Sequence, residues 1–127
     1  MSNESTKLMR RGMGLAVTEL RRRQKWDQTQ LGKQIHRFGL LARLPVPTRL
    51  TVSRWENGTQ IPSIANRSAL GKIAKAHDQE CLYEAFTAPD SSWRFVAALI
   101  DARIVFLAGD EAGVERANAG QDWQDSQ

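Results

Sequence analysis

Thr48-Arg49-Leu50-Thr51-Val52-Ser53-Arg54-Trp55-Glu56-Asn57 is the stretch whose reading decides the fold. Pro45 and Pro47 end whatever comes before it, because the residue preceding a proline is pushed out of the helical region. Thr48 then offers a side-chain oxygen at the position where a helix needs an N-cap. Gly58 follows at the other end, where a left-handed residue stops a helix. Between these two signals the spacing predicts a short helix. Val52 and Trp55 share one side of it and are expected in the core.

Working outward, the chain reads as five to six helices with no strand pattern. Residues 7–25 form the first, with Leu15, Val17, Leu20 and Trp26 inward and Arg21, Arg22 and Arg23 where cations suit the C-terminal dipole. Asp27 and Gln30 have the spacing of a capping box, so a second helix starts at Gln28 with Leu31 and Ile35 on its apolar side. Its pattern extends to about Ala42, although Gly39 weakens it. Pro62 and Ser63 start a fourth helix that carries Ile64, Leu70, Ile73 and Ala74. Asp78 is read as the cap of a fifth, with Leu82, Tyr83 and Phe86. A sixth runs from Ser92 to about Ala108, with Gly109 as its stop, and a polar tail follows.

Composition narrows the class. The 127 residues are 41% hydrophobic and 25% charged, with mean hydropathy −0.48, which suits a soluble globular domain. No stretch has the apolar length of a membrane span, and the first residues lack the features of a secretory signal. A cytoplasmic location is the expectation. The single cysteine, Cys81, excludes an internal disulfide and a cysteine-rich zinc site. Neither His36 nor His77 has ligands at metal spacing, and no nucleophile–base pair or phosphate loop is visible. We therefore expect no enzyme activity, no metal and no cofactor. Charge is divided unevenly: residues 1–62 hold twelve Lys or Arg against four Asp or Glu, and residues 63–127 hold six against ten. The first half suits a polyanion.

Three segments in order, Leu20-Arg21, Asp27 to Gly32, and Val52 to Gly58 with Pro62, resemble the helix-turn-helix domain of the phage repressors and Cro proteins, the Xre family. The similarity covers roughly residues 12–86. It implies an all-α fold: a five-helix DNA-binding domain over residues 1–88, an additional C-terminal helix over 89–109, and the tail 110–127. It implies a recognition helix in the major groove, with Arg49, Leu50, Thr51, Ser53 and Arg54 at base edges. Gln28, Thr48, Asn57, Gly58 and Thr59 are the implied phosphate contacts, and Arg21 and Glu56 a structural ion pair; Arg43, in the turn before the third helix, is a further phosphate candidate.

The departure is the turn. Leu31 and Ser53 are 22 positions apart, against about a dozen in the family, so about ten residues are inserted. Two readings stay open: an extended helix or loop that packs its leucines, or a segment whose His36, Arg37 and Arg43 reach DNA or a partner. Lys7, Arg10 and Arg11 read equally as a DNA-following arm or a frayed end.

The sixth helix is apolar around much of its surface, so one side is expected on the domain and another on a second copy. Trp93, Val96, Leu99, Ile100, Ile104 and Leu107 are the dimerisation candidates. The expected function is a homodimeric, sequence-specific DNA-binding transcriptional regulator on a palindromic operator. The alternative is the antitoxin of a toxin–antitoxin pair, which binds DNA and also a toxin protein through its C-terminal half.

Overall fold

The structure, a computed structural model, describes residues 2–39, 45–88 and 93–104. Its described residues form six helices and no strand: α1 (Ser2–Arg23), α2 (Gln28–Phe38), α3 (Arg49–Glu56), α4 (Ile64–Ala76), α5 (Glu80–Thr87) and α6 (Trp93–Asp101). None of them is long and apolar enough to cross a membrane. Arg43, Leu107 and the tail 110–127 lie outside the described residues.

Local signals set most of the boundaries. Asp27 accepts the Gln30 amide at 2.7 Å while the Gln30 side chain accepts the Asp27 amide, closing the capping box. Thr48 accepts Thr51 N–H at 3.2 Å, and Ser63 accepts Asn66 N–H at 3.1 Å. α2 does not extend to Ala42. It stops at Phe38, where the Gly39 amide turns back to the carbonyls of Ile35 and His36.

The ends of α1, α3, α4 and α6 follow one scheme that the sequence announces only once. At Gly58, φ is +75°, with Gly58 N–H on Trp55 O and Thr59 N–H on Arg54 O. The same pair of turn-closing bonds recurs at Lys25, Asp78 and Arg103, each with φ near +60° and none a glycine. Two boundaries move as a result. Asp78 is not the cap of α5; it closes α4, and Gln79 takes the cap position without a side-chain bond. Likewise α6 ends at Asp101, short of Ala108, because Arg103 turns the chain. At the other extreme α1 begins at Ser2, since nothing between there and Lys7 breaks a helix.

One core joins the elements. α1 packs on α3, α5 and α6, α4 lies between α2 and α5, and α5 lies against α6. Met13, Val17, Leu20, Leu31, Ile35, Val52, Trp55, Leu70, Ile73, Leu82, Phe86, Phe95 and Leu99 are buried. Leu15, expected inward, is instead 39% exposed, off the face that carries Met13, Val17 and Leu20. α3 has only eight residues, too few to stand alone in water. Burial of Val52 and Trp55 therefore holds it, each contributing roughly 1.5–3 kcal/mol.

Dimerisation candidates on α6 divide. Phe95, Leu99 and Ile104 are packed inside the chain itself, so Leu99 and Ile104 are not free for a second copy. Ile100 is 56% exposed, and Val96 is half-buried against the core.

α2 and the segment entering α3 meet at backbone distance. A Cβ on Gly32 would stand 2.2 Å from the carbonyl oxygen of Pro47. Helix propensity alone makes Gly→Ala a gain of about 1 kcal/mol at such a position, whereas overpacking against rigid backbone costs roughly 1–3 kcal/mol. Clash should win: Gly32→Ala is expected to lower the unfolding free energy by about 1 kcal/mol or more in urea denaturation. A rise would show that the α2–α3 approach is looser than described.

Candidate nucleic-acid interface

Helical spacing divides α3 cleanly. Val52 and Trp55 point into the core, and the Glu56 side chain is only 8% exposed. Arg49, Leu50 and Arg54 are exposed, with Ser53 and Thr51 half-buried at the margins. All five expected base-reading residues thus reach solvent, and Arg49, Leu50, Ser53 and Arg54 share one side. Leu50 is 56% exposed, a large apolar side chain in the middle of a polar face.

The end of α3 is tied to two other helices. Arg21 on α1 meets Glu56 through both nitrogens of a fork, Nε to Oε2 at 2.7 Å and an Nη to Oε1 at 3.1 Å. Its other Nη donates to the Trp26 carbonyl at 3.2 Å, fixing the turn into α2. Gln28, the first residue of α2, donates its Nε2 to Glu56 Oε1 at 3.1 Å. The hydrogen bond to Glu56 holds the Arg21 guanidinium above its ordinary pKa, against the lowering effect of burial, with the charges of Glu56 and Asp27 adding to it. A raised pKa means that the contribution is present below the ordinary arginine range and is lost only as pH climbs through the raised value. The Arg21 guanidinium therefore stays charged at any pH near neutrality.

The expected phosphate contacts do not all survive as donors. Gly58 N–H bonds Trp55 O, and the amides of Thr59 and Gln60 both bond Arg54 O. Gly58 has no donor left and supplies only its left-handed turn. Asn57 and Thr59 keep exposed side chains, although Asn57 Nδ2 also reaches Ser53 Oγ at 3.4 Å. Thr48 caps α3 and contacts the Thr51 hydroxyl at 3.1 Å, while remaining exposed. Gln28 has one amide hydrogen on Glu56 and a second one to offer. As the first helical residues of α2, Gln28 and Thr29 also carry backbone amides with no acceptor inside the helix.

Lys33 was not among the sequence candidates. Thr29, Lys33 and Arg37 follow each other at a spacing of four on the exposed side of α2. That i, i+4 row, polar beside the apolar pair Leu31 and Ile35, was the available signal. Lys33, Arg37, Arg49 and Arg54 are all exposed, and among the described residues none has an ion-pair partner. The two acids of this region are spent, Asp27 as a cap and Glu56 on Arg21. What results is a face of uncompensated positive charge over two adjacent helices.

The described residues hold no cluster of His, Cys, Asp and Glu able to bind a metal. Comparison of the chain with family models, with curated proteins and with solved structures gave no match.

Removing Arg21 would strand the Glu56 carboxylate with Gln28 as its one remaining donor. Arg21→Ala is expected to cost about 3 kcal/mol in denaturant unfolding, as for breaking a largely buried pair. Arg21→Lys should recover only part of that loss, because an ammonium cannot reproduce the fork. Full recovery by lysine would mean that charge alone, not geometry, holds α1 to α3.

Proposed function

We propose that this chain is a sequence-specific DNA-binding transcriptional regulator of the phage-repressor type, with α2 and α3 as its helix-turn-helix and α3 as the recognition helix. The observation that carries the reading is the exposed side of α3. It presents Arg49, Leu50, Ser53 and Arg54 together, on a helix anchored from behind by Val52 and Trp55. An α-helix fits the major groove, where arginine pairs with the N7 and O6 of guanine and an apolar side chain touches the thymine methyl. Uncompensated Lys33 and Arg37 on α2 supply the sequence-independent attraction to the backbone. Gln28 supplies a neutral hydrogen bond to a phosphate while Glu56 fixes its direction.

A palindromic operator follows if two copies bind, with half-sites about 10–10.5 base pairs apart. Ile100, with half-buried Val96 beside it one turn away, is the apolar side chain that α6 leaves exposed for the second copy.

Binding of purified protein to genomic fragments tests the reading. Arg49→Ala and Arg54→Ala should each lose about 1–3 kcal/mol of discrimination at one base pair, whereas Gln28→Ala should weaken binding to all fragments alike. Unchanged site choice in both arginine variants would mean that α3 does not read the bases. For the dimer, sedimentation of the full chain is the measurement. Ile100→Glu should shift the wild-type dimer to a monomer that keeps its helical circular dichroism and a cooperative unfolding transition, and a wild-type monomer would remove α6 from the interface.

A further inference from the structure

The long first helix carries a row of residues that faces α3 and its exit. Lys7, Arg10, Gly14, Thr18 and Arg21 share this side by helical spacing. Arg21 grips the Glu56 side chain. Two turns back, a Cβ on Gly14 would come within 2.5 Å of the Trp55 carbonyl and 2.8 Å of the Glu56 carbonyl. One turn further, the same test at Gly58 finds Arg10 O at 3.7 Å and the Arg11 Cα at 3.8 Å. The amino-terminal half of α1 therefore lies along the loop that leaves α3. Lys7 stands roughly one more turn, about 5 Å, beyond Arg10.

Lys7 is exposed and Arg10 half-buried, and among the described residues neither has an ion-pair or hydrogen-bond partner. Beside them the loop exposes the side chains of Asn57, Thr59 and Gln60, while its backbone amides point inward. Two cations next to neutral side-chain donors form a surface for phosphodiester oxygens.

We propose that Lys7 and Arg10, with Asn57 and Thr59, form a second backbone-binding strip on duplex DNA, separate from the one on α2. The proposal rests on the DNA-binding reading above. In it the recognition helix is flanked on both sides: Gln28, Lys33 and Arg37 hold the backbone at one side, and α1 with the loop 57–60 holds it at the other.

The test is the salt dependence of binding to a short mixed-sequence DNA duplex, measured with the full chain. Neutralising two phosphates changes the slope of log K against log salt by about 1.8, at roughly 0.9 per phosphate. A Lys7→Gln plus Arg10→Gln variant should lose that much slope and keep the wild-type sequence preference. Lys7→Gln alone, a fully surface change, should lose about half. Lys72→Gln plus Lys75→Gln removes equal charge from the exposed side of α4 and should leave the slope as it is. The strip is overturned if the α1 variants keep the wild-type slope, if the α4 variant loses as much, or if site choice changes. Failure of the wild-type chain to bind any duplex would overturn the DNA-binding reading itself, and the strip with it.

Discussion

Glu56 is the point on which the arrangement depends. Its carboxylate, almost removed from solvent, accepts from Arg21 on α1 and from Gln28 on α2, while its own helix is α3. One side chain thereby fixes three helices that burial alone would leave free to slide. Apolar packing is non-directional; Val52 and Trp55 keep α3 on the core but do not choose its rotation. The forked ion pair does choose it. With Glu56 turned to Arg21, helical spacing puts Arg54 and Leu50 on the far side of α3. The cost of taking both charges out of water is met by the two bonds of the fork and by two further hydrogen bonds, from Gln28 to Glu56 Oε1 and from Arg21 to the Trp26 carbonyl.

Much of this was legible in the sequence, and the reason is range. Asp27 with Gln30, Thr48 and Ser63 act on backbone atoms within three residues, so the residue types alone announce them. The inward side of α3 was equally readable from the spacing of Val52 and Trp55. What escaped depended on contacts between distant segments or on backbone states that the residue type does not signal. Lys25, Asp78 and Arg103 adopt the left-handed conformation that usually marks glycine, at roughly 1–2 kcal/mol each. Asp78 thus reads as a helix start although it closes the helix before it. Leu99 and Ile104 carry the same apolar signal whether they face their own domain or a second copy. Only the position of α1 and α5 decides between these. Arg23 illustrates the link: it bonds Glu19 on its own helix, the Gln79 side chain and the Ala102 carbonyl, joining the ends of α1 and α6 to the start of α5.

The state of the backbone donors limits how the candidate face can work. In the loop 57–60 every amide is turned inward onto the carbonyls of Ser53, Arg54 and Trp55. An anion there must be held by side chains, which tolerate small shifts of a duplex better than a rigid nest of amides. At the start of α2 the situation is reversed, since the first amides of a helix have no internal acceptor. In the DNA-binding reading proposed above, the two ends of the face would hold an anion by different means, a fixed dipole near Gln28 and adjustable side chains near Asn57. The fixed end would set the register and the adjustable end would follow it.

Carrying so many unpaired cations on one face costs the free protein little. Two unit charges about 10 Å apart in water repel by about 0.4 kcal/mol, and salt at physiological strength screens them over a Debye length of about 8 Å. Against that, each phosphate neutralised releases condensed counterions, so that a handful of contacts changes affinity by orders of magnitude between low and moderate salt. The asymmetry explains why acids are scarce here: Asp27 and Glu56 are retained only where each is consumed by a structural bond. A surface built for stability would intersperse opposite charges at four-residue spacing, as Glu19 and Arg23 do on α1. Among the described residues Lys33, Arg37, Arg49 and Arg54 forgo such pairing at a few tenths of a kcal/mol per pair, and a DNA duplex bound as proposed above would return far more than that.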